Sequence, residues 1–164
     1  TTPDFPSQTY VMNSGFTTWP ERQFIWEKLK GPTNSLNHPM HSGFATYFYE
    51  SLGGVKSSEN TPGYKLFTVN PEFSSKIKNT SVSVPTPYGV ITNNWSVNNT
   101  VLTIDLNVPF NTKAKLILNK KELKTLKINK LPFNKFKKKY QIKMIDGTNV
   151  LLGSGNYKIC YKKQ

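Results

Sequence analysis

Nine carboxylates, two histidines, one cysteine and three tryptophans are the side chains of this 164-residue sequence best suited to chemistry. A carboxylate serves as general acid or base when its surroundings position it and tune its acidity. Glu21 stands three residues after Thr18. Thr-x-x-Glu is also the spacing of a capping box, in which two side chains satisfy free N–H groups at a helix start. Spacing alone therefore leaves Glu21 as a cap. His38 directly precedes Pro39 and reads as a helix-start residue; His41 follows with no partner that the sequence names. Trp19 and Trp26 offer apolar ring faces that suit stacking on a ligand or packing in a core. Cys160 cannot form an internal disulfide or a zinc site alone. It alternates with Tyr157, Ile159 and Tyr161, which makes it a strand residue. No His/Cys cluster has metal-ligand spacing, and no cofactor is expected.

The elements that must position these residues fall into two kinds. Residues 1–55 read as loops and two helices. The first runs from about Trp19 to Leu29, with Ile25, Trp26 and Leu29 on one face and Gly31-Pro32 as its stop. The second opens at Pro39, a residue suited to the first helical position. It carries Met40, Phe44, Tyr47, Phe48 and Leu52 as one apolar stripe and ends at Gly53-Gly54. Two helices of this length cannot enclose a core alone. They dock on the next domain, or they come from a larger bundle.

From about Tyr64 the period changes from 3.6 to 2. Strands are expected at Tyr64–Val69, Lys76–Val84, Gly89–Trp95, Val101–Val108, Lys113–Leu118, Tyr140–Ile145 and Tyr157–Tyr161. In Val101–Val108 the side chains of Leu102, Ile104, Leu106 and Val108 point one way and Thr103, Asp105 and Asn107 the other. Turn signals separate the runs: Pro85-Thr86-Pro87, Asn98-Asn99, Asn111, Asp146-Gly147 and Gly153-Ser154-Gly155. Many short strands at regular spacing predict a mostly-β fold, an antiparallel sandwich of jelly-roll type. Tyr88 and Trp95 are expected on its strands, in core or interdomain packing. Lys120–Lys139, rich in lysine and holding Pro132, reads as an edge strand with a loop.

The net charge is +13, and its distribution divides the sequence as the period does. Residues 1–60 hold five acids and four bases, a net of −1; residues 61–164 hold four acids and 18 bases, a net of +14. Such a surplus raises a polyanion as a partner. Arg22 is the only arginine, however, and bidentate phosphate and base recognition favours arginine. Lysines also alternate with apolar residues (Lys113 and Lys115, Lys158 and Lys162), as on the wet face of a sheet. The reading is a solvated lysine face, with no nucleic acid as partner. No run of 18 apolar residues is present, so no membrane-spanning helix is expected, and no membrane partner. The sequence begins Thr-Thr-Pro-Asp with no signal-peptide pattern. A chain cut from a longer precursor would lose that pattern, so compartment stays open on this ground.

Several segments, in order, resemble the end of the bacterial α-L-rhamnosidases. Gly15-Phe16-Thr17-Thr18-Trp19-Pro20-Glu21-Arg22 resembles that family's G-x-T-T-x-W-E-R. Ser35-Leu36-Asn37-His38-Pro39-Met40 resembles its S-x-N-H-x-M/A element, and Tyr47–Val55 the end of the helix that follows. Pro62-Gly63-Tyr64-Lys65 with Val69-Asn70-Pro71, Tyr88-Gly89-Val90-Ile91 with Trp95, Val108–Ala114 and Gly153–Tyr157 are similar to successive segments of its C-terminal sandwich. Each motif is short; their specificity lies in being in register over most of the chain outside about 120–150. The family's tryptophan directly precedes its glutamate. Here that place is Pro20, with Trp19 one position earlier.

The resemblance implies an (α/α)6 catalytic barrel whose two-helix end is residues 1–58, followed by a β-sandwich at 59–164. It implies an inverting glycoside hydrolase acting on terminal α-L-rhamnosides. Such chemistry needs two carboxyl groups roughly 6.5–9.5 Å apart, one protonating the leaving oxygen and one activating water. By the same resemblance Glu21 is the general base, His38 and Trp19 contact the sugar, and the general acid lies upstream. The partners implied are a rhamnose-containing glycan and that upstream catalytic domain; the isolated chain is expected to be inactive. Secretion or a periplasmic location follows from the family's glycan substrates. The alternative is an accessory carbohydrate-binding sandwich braced by the helices. It calls for an exposed aromatic strip, which the sequence does not supply.

Overall fold

The computed structural model describes residues 3–4, 7–21 and 35–163, in two compact units, Thr1–Thr46 and Tyr47–Gln164. The first unit holds helix α1 (Gln8–Asn13), which the sequence reading does not anticipate. Ser7 caps it, its Oγ accepting the Tyr10 N–H at 2.9 Å, and Val11 is buried. The helix expected from Trp19 to Leu29 does not start there: Trp19 and Pro20 lie outside any helix and Glu21 is in a bend, while the remainder lies outside the described residues. The second expected helix is broken into a 3₁₀ turn at Pro39–Ser42, a single turn α2 (Ala45–Tyr47) and a π-helical turn at Phe48–Leu52. Gly43 lies at the break, and glycine weakens a helix interior. Its apolar stripe is not buried: Met40 is 80 % exposed, Tyr47 51 % and Phe48 52 %.

The second unit is a two-sheet β-sandwich. One sheet has the order β1 (Val55–Ser57), β2 (Leu66–Val69), β6 (Lys113–Leu116), β10 (Asn149–Leu152), β9 (Lys143–Ile145). The other runs β3 (Asn79–Thr86), β4 (Gly89–Asn98), β5 (Val101–Val108), β11 (Gly155–Lys162), β7 (Lys127–Ile128), β8 (Leu131–Pro132). Every pairing is antiparallel except β2 with β6, which run parallel from Leu66↔Lys113 to Val69↔Leu116.

Alternation along the strands decides which face is inside. On β5, Leu102, Ile104, Leu106 and Val108 are buried while Asp105 is exposed. They meet Val82, Val84, Ile91, Trp95, Ile159 and Tyr161 from their own sheet and Phe67, Val69, Leu116 and Val150 from the other, in one core cluster. Burying each such aliphatic side chain contributes about 1.5–3 kcal/mol. The turns fall where the sequence marks them. Asn99 (φ 55°) joins β4 to β5, and Asp146 and Gly147 (φ 53° and 75°) join β9 to β10, the backbone that Asp-Gly hairpins adopt.

The stretch read as an edge strand is different. It folds as helix α3 (Lys120–Thr125), the short β7–β8 hairpin and helix α4 (Phe133–Tyr140). Asn119 and Glu122 form a full capping box on α3: Asn119 Oδ1 accepts the Glu122 N–H at 2.9 Å and Glu122 Oε2 accepts the Asn119 N–H at 2.8 Å. Phe133 and Phe136 anchor α4 in the core, and Tyr140 stacks on Phe136 with centroids 4.7 Å apart.

Candidate functional site

In the first unit two motif-bearing segments lie side by side. Glu21 N–H donates to the Ser35 carbonyl at 2.8 Å, and His38 N–H donates to the Trp19 carbonyl at 2.7 Å. Two side chains reinforce this ladder. Thr18 Oγ1 donates to the Leu36 carbonyl, and Glu21 Oε2 accepts the Ser35 N–H at 3.4 Å. The capping box expected of Thr18 and Glu21 is therefore not formed among the described residues: both side chains reach across to Ser35–Leu36 instead of back to a helix start. The pairing brings Glu21, Trp19 and His38 onto one two-segment frame. All three are half-buried. The Trp19 ring meets Phe44 edge-on, centroids 5.0 Å apart at 88°, so one side of the indole is occupied by packing. A cavity of about 260 Å³ lies beside it, lined by Val11, Met12, Phe16, Thr17, Thr18 and Trp19.

Chemically the frame offers one carboxylate, one imidazole and one indole. That set can hold a hydroxylated ring and activate a water. It does not supply a second, opposed carboxyl group of the kind inversion needs. Trp26 lies outside the described residues, as does the side chain of His41. Among the described residues no group of three or more His, Cys, Asp or Glu side chains could hold a metal ion.

In the sandwich, Trp95 is core, 3 % exposed. Tyr88 is not on a strand but in the turn between β3 and β4, where its N–H donates to Thr86 Oγ1 at 3.1 Å. Cys160 lies half-buried on β11, opposite Thr103 on one side and Lys127 on the other. A residue the sequence reading misses is Asn93. It is fully buried on β4, two residues from Trp95, and its Nδ2 donates to the Gly53 carbonyl at 2.7 Å. Only the period-2 pattern could have marked it, as a polar residue in an inward position. Four groups have shifted acidity: burial raises Tyr64, Tyr157 and Tyr161, and Asp146 is lowered. The Lys115 ammonium, hydrogen-bonded to Asp146 at 2.9 Å, holds that carboxyl below its ordinary range. Burial, reinforced by the charge of Glu122, pushes the Tyr161 hydroxyl well above the ordinary tyrosine value.

Residues 54–130 match the family described as the bacterial alpha-L-rhamnosidase C-terminal domain. The whole chain is 62 % identical to an alpha-L-rhamnosidase of Formosa agariphila, of which it spans 17 %. It is 33 % identical over 69 % of its length to an alpha-L-rhamnosidase of Alteromonas sp. (strain LOR), spanning 12 % of that protein. The chain thus covers less than a fifth of the length of these relatives. Among solved structures, the alpha-L-rhamnosidase from Dictyoglumus thermophilum superposes on 99 % of the chain with a TM-score of 0.72 and 22 % identity, over 18 % of its own length. That of Streptomyces avermitilis, complexed with L-rhamnose, superposes on 98 % with a TM-score of 0.73 and 20 % identity, over 15 % of its own length. At such identities the structures speak for the fold.

Proposed function

Because residues 54–130 match the C-terminal domain of the bacterial alpha-L-rhamnosidases, we propose that the chain is the closing part of a longer enzyme that removes terminal α-L-rhamnosyl groups by inversion. The observation that carries this reading is the match along the full chain to an alpha-L-rhamnosidase of which it spans only 17 %. In the proposed division, residues 1–58 end the catalytic helical barrel and 59–164 are the sandwich. β1 (Val55–Ser57) already pairs with β2 in a sandwich sheet, which favours a boundary just before Val55, a few residues earlier than 58. The exposure of Tyr47 and Phe48, whose rings lie 6.3 Å apart, supports an upstream barrel that covers them, since large apolar groups gathered at a surface mark an interface.

Within that enzyme Glu21 is the general base, and His38 and Trp19 hold the rhamnosyl ring. The ladder between Trp19–Glu21 and Ser35–His38 supports these roles, because it keeps the three side chains on one frame. The acid that protonates the leaving oxygen belongs to the upstream part, so the 164 residues alone do not turn over. Trp19 stands beside Phe44 at 88°, and its role in the proposed site is to stack an indole face on the C–H face of a deoxy sugar. Among the described residues no helix is long and apolar enough to cross a membrane. A secreted or periplasmic location is proposed from the polymeric nature of glycan substrates.

The test is release of p-nitrophenol from its α-L-rhamnoside by the longer protein, beside purified 1–164, with an α-glucoside and a β-galactoside as controls. Activity in the longer protein alone, and on the rhamnoside alone, is the expected outcome. Hydrolysis by 1–164 would remove the upstream acid from the reading. Absence of rhamnoside hydrolysis by an intact longer protein would end it.

A further inference from the structure

Residues 120–143 hold ten lysines and one acid, Glu122. All ten lysines are exposed. The single acid is withdrawn from them: Glu122 is 3 % exposed and its carboxylate serves the Asn119 N–H at 2.8 Å and the Lys163 ammonium at 3.7 Å. Among the described residues the ion pairs are Lys56–Glu50, Lys115–Asp146, Lys158–Asp105 and Lys163–Glu122, so none neutralises a lysine of 120–143. Lys135, Lys138 and Lys139 stand at i, i+3 and i+4 on α4, the spacing at which like charges repel. A solvated face would ordinarily interleave its own acids. This one keeps its repulsion.

The basic stretch continues onto the outer face of the six-stranded sheet. Lys127 on β7 lies opposite Cys160 and hence diagonal to Lys158 and Lys162 on β11, about 7–8 Å away in such a pairing. Beyond Lys158 the outward row passes to Asp105 and then Asn94, and the neighbouring row holds Asn156, Asn107 and Thr92. These residues and Asn129 line a shallow polar cavity of about 350 Å³. Its one aromatic residue is Tyr157, whose hydroxyl donates to the Gly153 carbonyl at 3.0 Å.

We propose that the lysine-covered segment 120–143, together with the adjoining amide-lined outer face of β4, β5 and β11, is a docking surface for an anionic polysaccharide. The choice of a polysaccharide rests on the glycosidase reading above. The site's chemistry favours it over nucleic acid. Amides and hydroxyls beside a lysine field match a ligand that carries hydroxyls beside isolated anions, whereas base stacking calls for open aromatic platforms and phosphate forks for arginine; Tyr140, the exposed ring of this segment, is engaged by Phe136 and by the Lys139 ammonium. Such a surface holds a polymer near the catalytic part without contributing to the reaction.

The test is binding of the 164-residue chain to dextran sulfate, with neutral dextran and duplex DNA as parallel probes. Binding to dextran sulfate at about 50 mM salt that weakens steeply by about 200 mM is expected, as counterion release requires. K135Q/K138Q/K139Q should bind about tenfold or more weakly, whereas K76Q/K78Q/K113Q, which removes the same charge elsewhere, should change binding less than about twofold. Dextran sulfate should also shield Lys135, Lys138 and Lys139 of the unaltered chain from acetylation, a readout that needs no variant to fold. No binding at low salt, equal weakening by both triples, or tighter binding to duplex DNA than to dextran sulfate at matched salt would each overturn the proposal. Failure of the rhamnosidase reading appears elsewhere, as loss of rhamnoside hydrolysis by the longer protein, and does not alter the binding result.

Discussion

The Trp95 indole Nε1 donates to the carbonyl of Leu52 at 2.7 Å, and two residues earlier on the same strand Asn93 Nδ2 donates to the carbonyl of Gly53 at the same distance. Leu52 closes the π-helical turn and Gly53 follows it. The last carbonyls of a helix have no partner within it, and here β4 supplies two donors from adjacent inward positions. The sandwich thereby holds the end of the helical segment through defined hydrogen bonds, beyond the packing of Trp95 against Phe73.

Trp95→Phe keeps an aromatic ring in the core and removes the donor. The loss of a hydrogen bond to a half-buried carbonyl should cost about 1–3 kcal/mol, with a further contribution from the space the smaller ring leaves. Urea unfolding followed by circular dichroism reads this as a lower midpoint at unchanged slope. An unshifted midpoint would mean that the Leu52 carbonyl finds another donor and the clamp adds nothing.

Gly54 occupies a position that only glycine fits. Its φ is +70°, and a Cβ placed there would stand 2.4 Å from the Pro71 nitrogen and 2.5 Å from its Cα. Gly63 has nearly the same φ, +68°, with no atom nearer than 3.5 Å to such a Cβ. Left-handed backbone alone costs an L-residue about 1–2 kcal/mol. Gly63→Ala should therefore lower the thermal midpoint by a few degrees, whereas Gly54→Ala adds a backbone collision and should lower it by about twice as much or more. Equal shifts in the two variants would show that Pro71 moves aside freely.

Tyr161 combines full burial with a hydroxyl that has no hydrogen-bond partner among the described residues. Burial, then the charge of Glu122, raises its ionisation above the ordinary tyrosine value. For a group raised in the folded state, the stabilising contribution is complete below the unfolded value, about 10, and is lost as pH climbs through and beyond it. Tyr161→Phe should be neutral or stabilising at pH 7, since an unpaired buried hydroxyl is removed, and should flatten the alkaline fall in stability. Chemical denaturation at pH 7 and at about pH 11 measures both. A clear loss of stability at pH 7 would show that the hydroxyl has a partner after all.

What the sequence discloses of this fold follows from where the signal is local. Val101–Val108 reads as a strand with the correct inward face because alternation with Asp105 and Thr103 is complete within eight residues. The Asn98-Asn99 and Asp146-Gly147 turns are legible because those residues tolerate positive φ. The 120–140 stretch misleads for a physical reason. Its helices are six and eight residues long, too short for a periodic stripe to declare itself, and Pro132 suggests an edge strand when it ends β8 and precedes α4. The box Asn119-x-x-Glu122, which the sequence reading passes over, forms, and Thr18-x-x-Glu21, which it names, does not. The difference lies in Ser35 and Leu36, 14 and 18 residues away, whose backbone takes the side chains of Glu21 and Thr18. The π turn at Phe48–Leu52 and its clamp by Asn93 and Trp95 depend on residues 40 and 43 apart and leave no local trace.

Glu21 separates the proposed enzymatic reading from a purely structural one. Its backbone N–H and its carboxylate both engage Ser35, so a variant must preserve the frame while removing the base. Glu21→Gln does so: the amide oxygen still accepts from the Ser35 N–H, but it cannot take a proton from water. In the longer protein this change should lower kcat on the p-nitrophenyl rhamnoside by about 10²–10⁴ with a small effect on KM, because ring binding is assigned to His38 and Trp19. Glu21→Ala should lose the hydrogen bond to Ser35 as well, and an external nucleophilic anion such as azide should restore part of its turnover by standing in for the activated water. A Gln variant with full activity would return Glu21 to a frame residue. Rescue of the Ala variant by azide would place Glu21 on the face opposite the leaving group, and an anomeric configuration of the rhamnose first released by the unaltered longer protein opposite to that of the substrate would fix the inverting course.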